Sequence, residues 1–191
     1  MPRRSDARTR AIRAASRLFQ QQGYHGTGLA QILAESGAPK GSFYYYFPQG
    51  KEQLAREAIA DADAQVSALL VHAERTSRDA RGYLRNVMAA LARWMDESDF
   101  TEGCPIASLT LEASARSTVL LTACRDAYAG WQHHVAATLR DRGIDARRAR
   151  TIGVLVVTGM NGAMILCRAE RTTAPFRILQ KELVAHLDVR T

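Results

Sequence analysis

The chain has 191 residues, of which 47% are hydrophobic, 24% are charged and five are proline, so it can bury a sizeable core. Its net charge of +7 is uneven, because residues 1–51 hold eight basic and two acidic side chains, a net charge of +6, and the rest hold +1. This composition excludes a disordered chain, and the charge distribution favours a polyanionic partner at the N-terminal end.

The first predicted helix spans about residues 6–22 and is amphipathic. Its apolar residues recur at helical spacing, namely Ala11, Ile12, Ala15, Leu18 and Phe19. Three arginines, Arg3, Arg4 and Arg8, precede or open it, and we expect them to form a basic arm that reaches a minor groove or phosphates.

A second, short helix is predicted between Thr27 and Gly37. Thr27 is a good N-cap residue, and Ile32 lies on the apolar side of the helix. Gly37 can adopt the positive φ that ends a helix, and Pro39 suits the first position of the next one. This pattern predicts a helix-turn-helix.

The third helix must stop near Phe47, because the residue before Pro48 is pushed out of the α region. Helical spacing divides its residues into one side with Phe43, Tyr46 and Phe47 and another with Lys40, Gly41, Tyr44 and Tyr45. The second side suits a phosphate-lined groove. The alternative, an aromatic core helix, would have to bury Lys40 and three consecutive tyrosines.

The fourth helix begins near Lys51 and is long enough to leave the first domain and enter the next. Its inward residues are predicted to be Leu54, Ala58, Ala62, Val66, Leu69 and Ala73. Lys51 and the unpaired amides of the first turn together predict a phosphate site.

Three more helices follow, at about residues 79–95, from Pro105, and at 117–142. The last of these places an apolar stripe along one side, formed by Leu121, Cys124, Tyr128, Trp131, Val135 and Leu139. His133 and His134 are adjacent, so they cannot form the i, i+4 pair that binds a metal ion.

The eighth helix, at about residues 145–169, is apolar nearly all round between Ile152 and Cys167, so it must be covered on more than one side. That run of 16 residues is shorter than a bilayer span. Together with a ninth helix at 175–187 it predicts a two-fold, four-helix dimer interface. The predicted interface residues are Gly153, Gly159, Gly162, Ala163, Phe176, Leu179 and Leu183.

The N-terminal residues resemble the tetracycline-repressor-like (TetR) family of transcriptional regulators. The shared pattern comprises Phe19, Gly23, Tyr24, Thr27, Ile32, Gly37, Lys40-Gly41-Ser42, Tyr44, Tyr46-Phe47 and Lys51. The longer Pro48-Gln49-Gly50 connection, and a Gly-Cys-Pro-x-Ala-x-Leu-x-Leu-Glu motif that ends at Glu112, resemble the branch with the lincomycin-resistance and flavonoid-responsive repressors.

The resemblance implies an all-α homodimer of about nine helices, with a helix-turn-helix domain at 1–50 and an effector and dimerisation domain at 51–191. We expect it to repress transcription at a palindromic double-stranded operator and to release DNA on binding a small, aromatic molecule. The predicted DNA contacts are Thr27, Lys40, Gly41, Ser42, Tyr44, Tyr45, Tyr46 and Lys51. The predicted effector contacts are Met88, Trp94, Cys104, Tyr128, Trp131, Met160, Asn161 and Met164.

The sequence leaves open two alternatives to a ligand-responsive repressor. In one, oxidation of Cys104 replaces the organic ligand as the signal; in the other, Cys104 is the nucleophile of an enzyme with a histidine base. The sequence contains no recognisable catalytic motif for such an enzyme, so we do not predict an enzyme. The three cysteines form no C-x-x-C pair, which argues against a zinc site and a disulfide framework. We expect no cofactor, no metal and a cytoplasmic location, with no membrane partner.

Overall fold

The structure is a computed structural model that describes residues 4–38, 40–112 and 116–187. All regular secondary structure in these ranges is helical, which confirms the all-α prediction with about nine helices. The helices are α1 (Arg4–Gly26), α2 (Leu29–Ser36), α3 (Lys40–Tyr46), α4 (Gly50–Arg75), α5 (Ala80–Glu97), α6 (Pro105–Glu112), α7 (Thr118–Asp141), α8 (Ala146–Glu170) and α9 (Ala174–Ala185).

Local chemistry fixes several helix ends. Gly37 adopts the left-handed conformation, with φ of 60°, at the end of α2, and Gly143, with φ of 85°, follows α7. Asp79 caps α5 by accepting a hydrogen bond from the Gly82 N–H. Asp145 caps α8 by accepting from two backbone N–H groups, and these hydrogen bonds hold the pKa of its carboxyl below the ordinary value.

The chain forms two compact units, and the three boundaries between them fall inside α4, just before α6 and inside α7. The first unit comprises residues 1–64 and 104–127, so it contains α1 to α3, the start of α4, α6 and the start of α7. Its core is built from buried aromatic and aliphatic side chains, including Leu18, Phe19, Ile32, Phe43, Phe47 and Leu54. The domain division predicted at residue 50 stays a prediction.

The second unit comprises residues 65–103 and 128–191, in which α9 packs against both α5 and α8. Its core includes Tyr83, Leu84, Met88, Trp131, Val156 and Phe176. Within the described residues, α8 is the helix long and apolar enough to cross a membrane by length and composition, a test that core helices also pass.

Each of two predicted apolar stripes contains one residue that the structure replaces with its neighbour. On α7, Leu120 is buried and Leu121 is 47% exposed, because Leu120, Cys124, Ala127 and Trp131 follow the i, i+4, i+7, i+11 spacing of one helix face. On α4, Leu70 is buried, whereas Leu69 is half-buried. The other predicted inward residues of α4, including Leu54 and Val66, are buried.

Candidate functional site

The outward face of α3 is set by two buried phenylalanines on its other side. Phe43 and Phe47 are almost fully buried, and their ring centroids lie 5.0 Å apart. Because helix positions one and two residues later point elsewhere, Tyr44 is 53% exposed and Tyr45 is 74% exposed. The helix therefore presents two phenols to solvent at adjacent positions.

The rest of this face is open to close approach. Gly41 is exposed, and a Cβ placed on it would meet no atom within 4 Å. Tyr46 is half-buried, with its ring centroid 5.2 Å from that of Tyr45. Lys40 and Ser42 belong to α3, but their side chains lie outside the part that the structure describes, so their predicted DNA contacts stay predictions.

Thr27 does not act as predicted. The N-cap of α2 is Gly28, and Thr27 is fully buried. Its hydroxyl donates to the Gly23 carbonyl at 2.7 Å, and its N–H donates to the Tyr24 carbonyl at 3.3 Å. Since both donors of Thr27 are used inside the fold, Thr27 joins α1 to α2 and is unsuited to a phosphate contact.

Lys51 is half-buried in the first turn of α4, and its phosphate contact stays a prediction. Its ammonium donates to the Tyr24 carbonyl at 2.5 Å and lies 4.1 Å from the centroid of the Tyr24 ring. Burial lowers the pKa of Lys51, while the nearby Glu112 carboxylate raises it. An ammonium has three donors, so Lys51 keeps capacity for a phosphate oxygen.

The connection from α3 to α4 is a compact turn that sequence reasoning left undefined. The Gly50 N–H donates to the Phe47 carbonyl at 2.8 Å, and Gly50 has φ of 70°, a value that favours glycine. The Gln53 amide accepts from the Gln49 N–H and donates to the Tyr46 carbonyl, both at 3.2 Å. This turn fixes where Lys51 lies after α3.

The predicted effector residues lie at different depths. Met88, Trp131, Met160 and Met164 are buried, as is Cys104, whereas Trp94, Tyr128 and Asn161 are half-buried. The rings of Tyr128 and Trp131 form an edge-to-face pair with centroids 5.4 Å apart, and the Trp94 indole donates to Glu102 at 3.1 Å. Cys104 belongs to the first unit and the others to the second.

Asn161 carries an unusual polar atom. Its amide nitrogen donates to the Val157 carbonyl at 2.9 Å, but its Oδ1 is buried and accepts no hydrogen bond from the described residues. A buried acceptor without a donor is costly, so a donor from a water molecule or from a ligand would be stabilised at this atom.

The three cysteines, Cys104, Cys124 and Cys167, are all buried. Burial raises the pKa of the Cys124 and Cys167 thiols, which lowers the fraction of thiolate, the form that reacts with oxidants. Oxidation of Cys104 as the signal stays a prediction.

The predicted dimer residues divide into buried and accessible groups. Phe176, Leu183 and Ala163 are buried within the chain. A Cβ on Gly153 would lie 2.7 Å from the Gln132 carbonyl oxygen, so this glycine permits packing against α7. Gly153, Phe176 and Leu183 therefore serve the intrachain core, which corrects their assignment to the surface of the interface.

Gly159 and Leu179 are half-buried and pack against each other, since a Cβ on Gly159 would lie 2.7 Å from the Leu179 Cδ1. Gly162 is exposed, and a Cβ on it would meet no atom within 4 Å. These residues border an apolar groove of about 460 Å³ between α8 and α9, with Leu166 50% exposed and Ile178 65% exposed. Sequence reasoning did not name Leu166 or Ile178 as interface residues, although the all-round apolar pattern of α8 could have indicated Leu166.

Comparisons with known proteins agree with this geometry. Residues 11–58 match the family "Bacterial regulatory proteins, tetR family", and residues 80–182 match "Transcriptional regulator LmrA/YxaF-like, C-terminal domain". The chain is 36% identical to the HTH-type transcriptional regulator LmrA of Bacillus subtilis (strain 168), over 89% of this chain and 90% of LmrA. It is 33% identical to the uncharacterized HTH-type transcriptional regulator YxaF of the same organism, over 96% of each.

Solved structures share the fold. A regulatory protein TetR from Rhodobacter sphaeroides superposes with a TM-score of 0.86 at 24% identity, over 94% of this chain and 98% of that one. A TetR transcriptional regulator from Chloroflexus aurantiacus J-10-FL gives a TM-score of 0.82 at 23% identity, over 97% and 96%. The helix-turn-helix with its exposed α3 face, the two family matches and these relatives together show that the chain belongs to the TetR family of DNA-binding transcriptional regulators and is not an enzyme.

Proposed function

We propose that this DNA-binding repressor acts as a homodimer on a palindromic operator and releases it when a small, aromatic molecule binds the C-terminal part of the chain. The observation that carries the DNA-reading part is the division of α3, in which Phe43 and Phe47 anchor the helix and Tyr44 and Tyr45 stand exposed. A short helix held from one side in this way can enter a major groove without unfolding the domain.

The proposed contacts divide by chemistry. Tyr44 and Tyr45 of the exposed face, with Gly41 allowing close approach, are assigned to the groove, together with Lys40 and Ser42 from the sequence pattern. Tyr46 and Lys51 are assigned to phosphates. The net charge of +6 in residues 1–51 supports this placement, because phosphate neutralisation supplies most of the sequence-independent affinity.

The proposed dimer uses the accessible side of α8 and α9. Apolar side chains along this side are exposed to an extent unusual for a water-soluble surface, with Leu155 40%, Ile165 64%, Leu166 50% and Ile178 65% exposed. Covering them with the same surface of a second copy gives the two-fold axis that a palindrome requires. Two recognition helices would then read half-sites about 34 to 36 Å apart.

The proposed effector site uses the half-buried and buried residues of the second unit. The partnerless Oδ1 of Asn161 would accept from a phenol or N–H donor, while Tyr128 and Trp131 offer aromatic faces and Met88, Met160 and Met164 offer adaptable apolar contacts. Those groups suit a planar aromatic ligand with a polar edge. We also propose a cytoplasmic location, because there the repressor can meet both DNA and a diffusing ligand.

Thermodynamic linkage relates the loss of operator affinity to the coupling free energy between ligand binding and DNA binding. A tenfold loss of operator affinity needs about 1.4 kcal/mol of coupling, and the ligand must bind the DNA complex correspondingly more weakly. The test titrates flavonoids and planar aromatic drugs into a complex with labelled operator while Trp94 and Trp131 fluorescence is recorded. Quenching and operator release should occur over the same concentration range. Quenching at saturation without release would refute the proposed switch.

A further inference from the structure

Glu112, at the end of α6, contacts the C-terminal end of α1 at two points, one through its side chain and one through its backbone. Its Oε2 accepts from the His25 backbone N–H at 2.9 Å, and its backbone carbonyl lies 3.1 Å from the His25 Nε2, which donates when that nitrogen carries the proton. Helices α1 and α6 pack against each other in the first unit. The Gly-Cys-Pro-x-Ala-x-Leu-x-Leu-Glu motif therefore ends on a residue that contacts the helix-turn-helix.

The backbone of α1 is shaped to receive this carboxylate. Gly23 breaks the helix with φ of 79° and ψ of 172°, which turns the next three residues away from the helix axis. A Cβ on Gly23 would overlap the Glu112 carboxylate. The positive φ and the contact both require glycine, so Gly23 of the sequence pattern and Glu112 form a matched pair.

The segment held by Glu112 is the one that holds Lys51. Tyr24, between Gly23 and His25, accepts from the Lys51 ammonium through its carbonyl and lies under it with its ring. The hydroxyl of Ser117 donates to the Glu52 carboxylate in the same turn of α4 as Lys51. Glu112 thus contacts the residue after Tyr24, which binds Lys51, and Ser117 contacts the residue after Lys51.

We propose that Glu112 is a positioning residue for DNA binding, which fixes residues 23–26 and thereby holds the Lys51 ammonium, through Tyr24, in the place where it meets the DNA backbone. The inference rests on the proposed contact of Lys51 with a phosphate. Glu112 itself contacts no DNA in this arrangement, because its carboxylate faces α1. The proposal therefore assigns its effect on affinity to the position of Lys51.

A double-mutant cycle measures that dependence. Operator DNA is selected from a random duplex pool with the wild-type protein, and affinity is measured for Glu112→Ala, Lys51→Ala and the double variant at several salt concentrations. Glu112→Ala should weaken binding about tenfold, equivalent to about 1.4 kcal/mol. In the Lys51→Ala background the same change should have little effect, because the group that Glu112 positions is gone.

Glu112→Gln is the matched control. Its amide oxygen can still accept from the His25 N–H, so most of the affinity lost in Glu112→Ala should return. Should Glu112→Ala fail to fold, Glu112→Asp, whose carboxylate is one methylene shorter, takes its place in the cycle. Additive losses in the cycle, or unchanged affinity of the Glu112 variant beside a weakened Lys51→Ala, would overturn the inference. Unchanged affinity of Lys51→Ala would instead overturn the proposed phosphate contact, and with it the path through which Glu112 acts.

Discussion

Replacing Gly162 with arginine tests the proposed dimer surface with little disturbance of the single chain. Gly162 is exposed in the middle of α8, and a Cβ there meets no atom within 4 Å. In a helix interior, arginine is more favourable than glycine by up to about 1 kcal/mol. The substitution should therefore leave the folded chain as stable as before or slightly more stable, and act on association alone.

The magnitude follows from the apolar surface that the arginine would keep apart. Leu166 is 50% exposed and Ile178 is 65% exposed beside Gly162 in the groove. Full burial of such a side chain is worth about 1.5–3 kcal/mol, so covering the exposed parts of both residues in both subunits contributes on the order of 4 kcal/mol. Losing that contribution weakens the dimer about a thousandfold.

Sedimentation of the variant over a concentration series gives the dimer dissociation constant. Gly130→Arg is the matched control, because Gly130 is also an exposed helical glycine with no atom within 4 Å of an added Cβ, but it does not line the groove. We expect Gly162→Arg to be monomeric at micromolar concentration and Gly130→Arg to stay dimeric. A tight Gly162→Arg dimer would show that the interface lies elsewhere.

Three further outcomes are expected. Gly153→Ala should lower the free energy of unfolding by about 1–3 kcal/mol in denaturant titrations, because its Cβ would meet the Gln132 carbonyl oxygen at 2.7 Å, whereas Gly162→Ala should not lower it. The stability that Asp145 contributes as a cap should be present above its ordinary pKa of 3.8 and lost as the pH falls through its depressed folded value. In a plot of unfolding free energy against pH, Asp145→Ala should therefore reduce the fall at acid pH. An unchanged fall in the variant would contradict this. Lys51→Ala should weaken binding to all DNA sequences and reduce the salt slope by about one, and an unchanged slope would remove Lys51 from the phosphate contacts.

Helix positions and the anchoring of α3 were predictable because they depend on neighbouring residues. Gly37 ends α2 by its left-handed conformation, and Phe43 and Phe47 are buried where the spacing of the short helix requires. The exposure of Tyr44 and Tyr45 follows from the same spacing. Such features need no knowledge of distant parts of the chain.

Errors arose where other groups in the folded chain bind a side chain or cover it. Thr27 has the chemistry of an N-cap, but the break at Gly23 brings a carbonyl within reach of its hydroxyl and Gly28 takes the cap position. Phe176 and Leu183 have the pattern of an interface, yet they are buried within the single chain. Periodicity identifies an apolar face without saying whether the same chain or a second copy covers it.

The same limit applies to Glu112. The end of its motif was visible in the sequence, but its partner, the His25 backbone N–H, is 87 positions away. No local rule relates the two residues. The glycine at position 23 was visible as part of the family pattern, while the reason for its positive φ appears once α6 is packed against α1.

The central claim is that the outward face of α3 reads the operator, and its most direct test is the operator affinity of Tyr44→Ala and Tyr45→Ala. The two side chains are the exposed aromatic residues of that helix, so their removal should leave the melting temperature and the dimer unchanged. Titrated at fixed salt against duplexes selected by the wild-type protein, each variant should bind more weakly by about 1–3 kcal/mol and lose discrimination at one base pair of each half-site. Wild-type affinity and specificity in both variants would contradict the assignment of α3 as the reading helix.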